Sequence, residues 1–287
     1  MISYNTKEWF TFIFRFHKAD TFRQLLTTML AIGAYAAIIG YLEVEYWKIS
    51  EKSFVKNITI MHGMLGFVIS LLLVFRTNTA YDRWWEGRKL WGALVNNSRN
   101  LAIKLSVMLH DEKDRQYFRK MIPSYASILH KHLNDSDTGK VLFDNLDLAI
   151  DHHKHKPNQV AQMMFHKIND LYDSKKITGD QLIILNGELQ SFSEICGACE
   201  RIKNTPIPYS YSAFIKKFIF FYVMTLPFGY AFNLGYYVGP VVVFIFYVLA
   251  SLELIAEEIE DPFGSDENDL PTQKIAANIK KHVEELI

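Results

Sequence analysis

The chain has 287 residues, 31 basic against 31 acidic side chains, 49% hydrophobic content and a mean hydropathy of +0.02. This balanced charge lacks the basic footprint of a nucleic-acid-binding domain, so no nucleic-acid partner is expected. The averages conceal three runs free of Asp, Glu, Lys and Arg, at 25–42, 57–75 and 218–252, set in a charged, helix-rich remainder.

Within 1–18, helical spacing gathers Trp9, Phe12, Ile13 and Phe16 on one face, widened by Phe10 and Phe14, with Lys7, Thr11, Arg15 and Lys18 roughly opposite. That pattern predicts an interfacial amphipathic helix. The first uncharged run starts too far into the chain, with no A-x-A step after it, to be a removable signal peptide. The second run is 19 residues long. At about 1.5 Å per residue it approaches the roughly 30 Å hydrocarbon core of a bilayer. No turn signal separates it from the dense Arg, Trp and Asp that follow, so one long helix is predicted to leave lipid for water at Arg76.

The third run resolves as a helical hairpin turning among Pro227, Gly229, Gly235, Gly239 and Pro240. Its first helix is predicted to begin near Ala213, with Lys216 and Lys217 at the interface, and its second to continue towards Ile259. Four transmembrane helices in two hairpins result. Lys7, Arg15, Lys18 and Arg23 precede the first span, and Arg76, Arg83, Arg88 and Lys89 follow the second; the loop 43–56 offsets its lysines with as many glutamates. The positive-inside rule then places both termini and the middle segment in the cytosol.

The middle segment shows helical apolar spacing through Leu90, Leu94, Leu101, Leu105, Val107 and Met108, and again through Leu182, Leu185, Leu189, Phe192 and Ile195. Loops are predicted at 134–140, 152–158 and 177–180, and the stretch 205–208 breaks the chain before the second hairpin. The expected division is an interfacial segment 1–23, a first transmembrane hairpin 24–75, a cytosolic helical domain 76–212, a second transmembrane hairpin 213–259 and a cytosolic C-terminal tail 260–287.

Phe75, Arg76, Asn78, Tyr81 and Arg83, followed by Glu86, Arg88 and Trp91, form FR-x-N-x-x-Y-x-R and E-x-R-x-x-W. This segment resembles the signature of the bestrophin family of ion channels, in its bacterial and chloroplast-type branch. The resemblance runs nearly the whole chain in order, to the EDPFG stretch that begins at Glu260. It implies an all-α membrane protein, a homopentamer around a central pore for monovalent inorganic ions, with no catalytic residues. Phe67, Leu71 and Phe75 lie at steps of four and form one nearly axial stripe, which by spacing alone reads as helix or lipid packing. The resemblance instead implies a hydrophobic pore neck and gate at these three residues. It also implies a cytosolic aperture among Asp180, Gln181, Leu182, Ile183 and Ile184, with the register open.

The resemblance leaves the sign of the ion open. Arg76, below the neck, is expected to carry vestibule charge, and Asp180 to carry the opposite charge near the aperture. Were Arg76 held by a glutamate such as Glu257 or Glu260, the acidic ring would dominate. That slightly favours a sodium-like cation, with a chloride-type anion channel as the direct alternative. A secondary transporter is a second alternative, against which stands the lack of inverted symmetry between the hairpins.

Animal members carry a calcium clasp just past the Pro-Phe-Gly step, and the resemblance places it here at Asp266 and Asp269. Two carboxylates fall short of the six to eight oxygens calcium takes, so a Pro-Phe-Gly turn with a solvated acidic tail is favoured and no cofactor is required. Cys196 and Cys199 form a single C-x-x-C, which reads as helix packing rather than redox or zinc chemistry. His152, His153 and His155 are interleaved with Lys154 and Lys156, which reads as a solvated loop rather than a metal tract. His62 is the lone histidine of the second run and reads as helix packing or pore lining.

Overall fold

A computed structural model describes residues 21–48, 56–134, 151 and 153–287. The amphipathic segment 1–18, most of the loop 134–140 and His152 lie outside the described residues. Every regular element among those described is helical: α1 (Thr21–Leu42), α2 (Lys56–Met108), α3 (Glu112–Leu133), α4 (Lys156–Asp173), α5 (Gly179–Asn204), α6 (Tyr209–Leu234), α7 (Val238–Glu260) and α8 (Thr272–Leu286). Four of these, α1, α2, α6 and α7, are long and apolar enough to cross a membrane.

Helix α2 is unbroken over 53 residues, about 80 Å, more than twice the hydrocarbon core. Its buried positions keep to one side throughout. Ile69, Leu73, Arg76, Ala80, Gly87, Trp91, Leu94, Ser98, Leu101 and Leu105 recur at steps built from three and four. At about 100° per residue they stay within roughly 60° of one line along the rod. This inner stripe packs first on α6 and α7, then on α5 and α8.

Two cores lie along it. The membrane-side core joins Met29, Ala36, Ile69, Leu73, Ile219, Val223, Val242 and Phe246, contributed by α1, α2, α6 and α7. The polar-side core joins Trp91, Leu101, Phe118, Tyr125, Met164, Leu189, Phe192, Phe263 and Ile279. α6 and α7 pack on each other. Their turn is Gly235, whose φ of +53° favours glycine, whereas Pro227 sits inside α6 without ending it.

The first pair is not built like the second. α1 packs chiefly on α7, where a Cβ on Gly40 would lie 2.7 Å from Val238 and one on Gly33 3.0 Å from Val243. These glycines let the two helices approach closely in an apolar layer.

Local capping sets the remaining boundaries. Thr178 and Gln181 form a capping box that starts α5, so Asp180 belongs to the first helical turn rather than to a loop. His155 caps α4, with Pro157 in its first turn. The predicted loop 152–158 therefore ends at His155. The C-terminal region is also more ordered than a solvated tail: α8 buries Ala276, Ile279 and Val283 against α2 and α3.

Candidate ion pore and the junction beneath it

Phe67, Leu71 and Phe75 are 71%, 44% and 55% exposed, while Ile69, Leu73 and Arg76 between and beside them are at most 1% exposed. Taking the inner stripe as zero, the three fall at about 140°, 180° and 220°, directly opposite it. They thus form an outward apolar stripe on a helix whose other side is committed to the subunit's own core. Beyond them the same outward line carries Asn78, Asp82 and Lys89, all exposed.

Arg76 corrects an expectation. It does not face the outward line as a vestibule charge but points the other way, because one step past Phe75 rotates the side chain about 100° towards the core. Its Nη2 donates to Glu260 Oε2 at 2.6 Å, and its Nε lies 3.5 Å from Glu253. Glu260 Oε1 in turn accepts from the Ile207 backbone N–H at 2.6 Å. Arg83, two helical turns along, donates to the carbonyls of Glu260 at 2.9 Å, Ile202 at 2.7 Å and Thr205.

The two motif arginines therefore fasten α2 to the ends of α5 and α7 at the point where the apolar half of the chain meets the polar half. Of the two glutamates expected at Arg76, Glu260 is a partner. Glu257 pairs with Lys216 at 2.8 Å instead, and Glu253, not anticipated, supplies the second carboxylate. The signal for Glu253 was its place as the first acid after a long apolar run, since charges at that depth ordinarily find a partner.

The rest of the motif divides between core and surface. Trp91 is fully buried. Glu86 accepts from Arg201 at 2.7 Å. Tyr81 stacks with Trp84 and Trp85, and Arg88 is exposed.

At the aperture segment the five candidates separate by direction. Asp180 and Ile183 share the face opposite the buried Leu185 and Leu189, and Ile183 is 72% exposed. Ile184 is exposed to one side. Leu182 is half-buried against the polar-side core, and the Gln181 side chain accepts from the Thr178 N–H in the capping box. Leu182 and Gln181 are thus partly covered by the subunit itself, while Asp180, Ile183 and Ile184 are exposed.

The acidic turn after α7 is closed by protein donors. Asn134 Nδ2 donates to the carbonyls of Phe263 and Gly264 at 3.2 and 2.6 Å, Trp84 Nε1 donates to that of Asn268 at 3.1 Å, and the Leu270 N–H to that of Pro262 at 3.0 Å. Asp269 is buried, its Oδ2 accepting from the Asp266 N–H at 2.5 Å while Oδ1 has no partner. Burial, reinforced by Asp266, Asp261 and Glu258, pushes the Asp269 carboxyl up to about 7.

One buried carboxylate and carbonyls already engaged do not make six to eight oxygens, so the donor set does not fit calcium. Nor is the turn the solvated tail predicted, since Phe263 and Asp269 are both enclosed.

Cys196 and Cys199 are free and buried. Burial, helped by Glu200, pushes the Cys196 thiol up to about 12, which makes it a packing group rather than a reactive thiolate. His62 packs against α6, its Nε2 2.9 Å from the Thr225 hydroxyl. It lies on the inner stripe, away from the outward line.

The fold and this face define a class: an all-helical membrane protein whose longest helix offers one side to its own core and an apolar stripe to something beyond. The family model for bacterial and fungal bestrophin proteins matches residues 1–285, and the chain belongs to the bestrophin family of ion channels. Among its relatives, a voltage-dependent anion channel-forming protein of Nostoc sp. is 36% identical over 230 residues, covering 77% of this chain and 75% of the relative. A protein of the same description from Ralstonia nicotianae is 27% identical over 286 residues, covering 97% and 92%. The fold is similar to that of a crystallised point mutant of a bacterial bestrophin homolog from Klebsiella pneumoniae. The TM-score is 0.80 at 22% identity, covering 92% of this chain and 98% of the other.

Proposed function

We propose that five copies of this chain surround one axis, with Phe67, Leu71 and Phe75 lining a hydrophobic neck and Asp180 with Ile183 at a second, cytosolic constriction, and that the pore passes monovalent anions. The observation that carries this reading is the outward apolar stripe opposite a fully committed inner stripe. A lone helix in lipid needs no such separation, whereas a pore helix needs one face for the subunit and one for the axis.

An apolar tube strips water from an ion without polar replacement, so it closes by dewetting and opens by widening. The same tube favours large, weakly hydrated ions such as chloride over small, strongly hydrated cations. Phenylalanine ring edges, which carry the positive end of the ring quadrupole, act in the same direction. Two relatives described as anion channel-forming proteins support this sign.

The membrane is proposed to be a bacterial inner membrane with both termini cytosolic, and calcium forms no part of the mechanism.

One observation favours the cation reading expected from the sequence. With Arg76 neutralised by Glu253 and Glu260, Asp180 remains an exposed charge on the α5 face proposed to line the axis. Reversal potentials of the reconstituted protein in asymmetric potassium chloride separate the two. A potential near that of chloride is expected, moving further that way in Asp180→Asn; a potential near that of potassium overturns the anion assignment. Saturable, coupled counterflow without channel-rate flux would instead indicate a carrier.

A further inference from the structure

We propose that His132, His155 and Glu200 form a binding site for a divalent transition metal of the zinc class, on the polar side of each subunit and away from the outward face of α2. The three come from three elements. His132 lies in the last turn of α3, His155 caps α4, and Glu200 lies on α5. The two Nε2 atoms sit 2.6 and 2.5 Å from the same oxygen, Glu200 Oε1. The two rings are 4.6 Å apart, and one ligand atom from each residue lies within 4.8 Å of the others. All three side chains are about one-third exposed or less, so water and ions reach the cluster without crossing the core.

The donor chemistry selects the metal. Two imidazoles and one carboxylate suit zinc, leaving the fourth tetrahedral position for water, whereas calcium and magnesium require oxygen ligands. Ligands at about 2.1 Å from a tetrahedral centre stand roughly 3.4 Å apart. The two imidazoles therefore need to withdraw from Glu200 by less than about 1 Å to admit the ion.

Sequence reading missed the site because only His155 belongs to the histidine tract. His132 is 23 residues upstream and Glu200 45 residues downstream of it, and the neighbouring lysines masked the signal. Lys203 Nζ donates to the His132 carbonyl at 3.5 Å, and Lys131 and Lys156 adjoin the ligands in sequence. Their positive charge tempers the affinity and makes the carboxylate the decisive ligand.

Binding at His155 requires a change of tautomer and no net change in protons. His155 Nδ1 accepts from the Asn158 N–H at 3.2 Å, so in the metal-free form its proton resides on Nε2 and is directed at Glu200. When Nε2 ligates the metal, that proton passes through solvent to Nδ1, the ring stays neutral and the cap on α4 is given up. Metal binding and the α4 cap are therefore mutually exclusive.

The test uses the full-length protein in detergent, stripped of metal, titrated with zinc by calorimetry and with cobalt by visible absorption. One saturable site per chain is expected, with the absorption of a four-coordinate nitrogen–oxygen site. Glu200→Gln and His155→Asn are each expected to weaken binding at least about tenfold. Asn at 155 keeps a capping oxygen for α4, and His132→Gln replaces it should that variant fail to fold.

Cys196→Ser with Cys199→Ser is expected to leave both titrations unchanged. Hydrogen exchange at the Asn158 amide is expected to quicken with zinc. Fewer than one site per chain, wild-type affinity in Glu200→Gln, or a thiolate-to-cobalt band lost with the cysteines would each overturn the proposal.

Discussion

The two halves of α2 share one inner stripe but differ on the outside. Before Arg76 the outward line is Phe67, Leu71 and Phe75; beyond Arg76 it turns to Asn78, Asp82 and Lys89. Across the same boundary the inner line continues from Ile69 and Leu73 to Trp91 and Leu94 with no change of character. Folding of the subunit and interaction with what lies outside it are thus written on opposite sides of one rod, and substitutions on the two sides should fail differently.

The largest effect is expected at the junction itself. Arg76→Gln leaves the buried Glu253 and the partly buried Glu260 without their counter-charge, a loss of about 3–5 kcal/mol. Thermal unfolding of the detergent-solubilised protein, followed by tryptophan fluorescence, measures it. An unshifted transition would mean that the inner stripe holds the halves together without the arginine.

Next comes the turn that seats Phe263 on α2. The folded-state carboxyl of Asp269 is raised to about 7, above its unfolded value, so the folded protein holds the extra proton. Stability conferred by that proton is present below the unfolded value and is lost as pH rises through about 7. The loss amounts to at most about 4 kcal/mol. Asp269→Asn, which keeps the shape without the charge, is expected to flatten the pH dependence of unfolding between acid and neutral; the same slope in both proteins would place the titration elsewhere.

A smaller loss tests the closeness of the inner face. A Cβ at Gly87 would lie 3.1 Å from Phe263 and 3.2 Å from Leu270, so Gly87→Ala is expected to cost about 1–3 kcal/mol. Gly63, with nothing near its missing Cβ, is the matched control.

On the outer face the stability effect is smallest. Phe67→Ala, Leu71→Ala and Phe75→Ala together are expected to change unfolding of the isolated subunit by no more than about 0.5 kcal/mol per site. Liposome flux, however, should rise several-fold as the neck widens and wets. Unchanged flux would remove these residues from the pore.

Much of this was legible in sequence because it depends on local periodicity. Three uncharged runs mark the apolar helices, and the step of four through Phe67, Leu71 and Phe75 survives without knowledge of any partner. What depended on distant partners was legible only in part: Glu260 is expected at Arg76 from the sequence, whereas Glu253 is not. Arg76 looks like a solvent-facing charge at the end of an apolar run, and only its angular position among buried residues turns it towards Glu253, 177 residues away. α3, with Pro123 inside it, has no counterpart among the expected helices, and α8 falls in the stretch expected as a tail. The aperture candidates could be sorted by direction only once the Thr178 cap fixed the helix phase, which sets Asp180 and Ile183 on the face opposite Leu185 and Leu189.

The continuity of α2 has a mechanical consequence. From Arg76 to Met108 the helix extends about 48 Å, with neither a proline nor a break to absorb bending. Fastened at the Arg76 and Arg83 contacts and packed along its polar half on α5 and α8, it can tilt only together with those helices, as one rigid arm about the junction. A tilt of about 3° sweeps the far end by roughly 2.5 Å, while Phe67, about 14 Å on the other side, swings less than 1 Å the opposite way. In the five-fold arrangement proposed above, a slight displacement of the polar helices would arrive at Phe67, Leu71 and Phe75 reduced in size but inverted in sense.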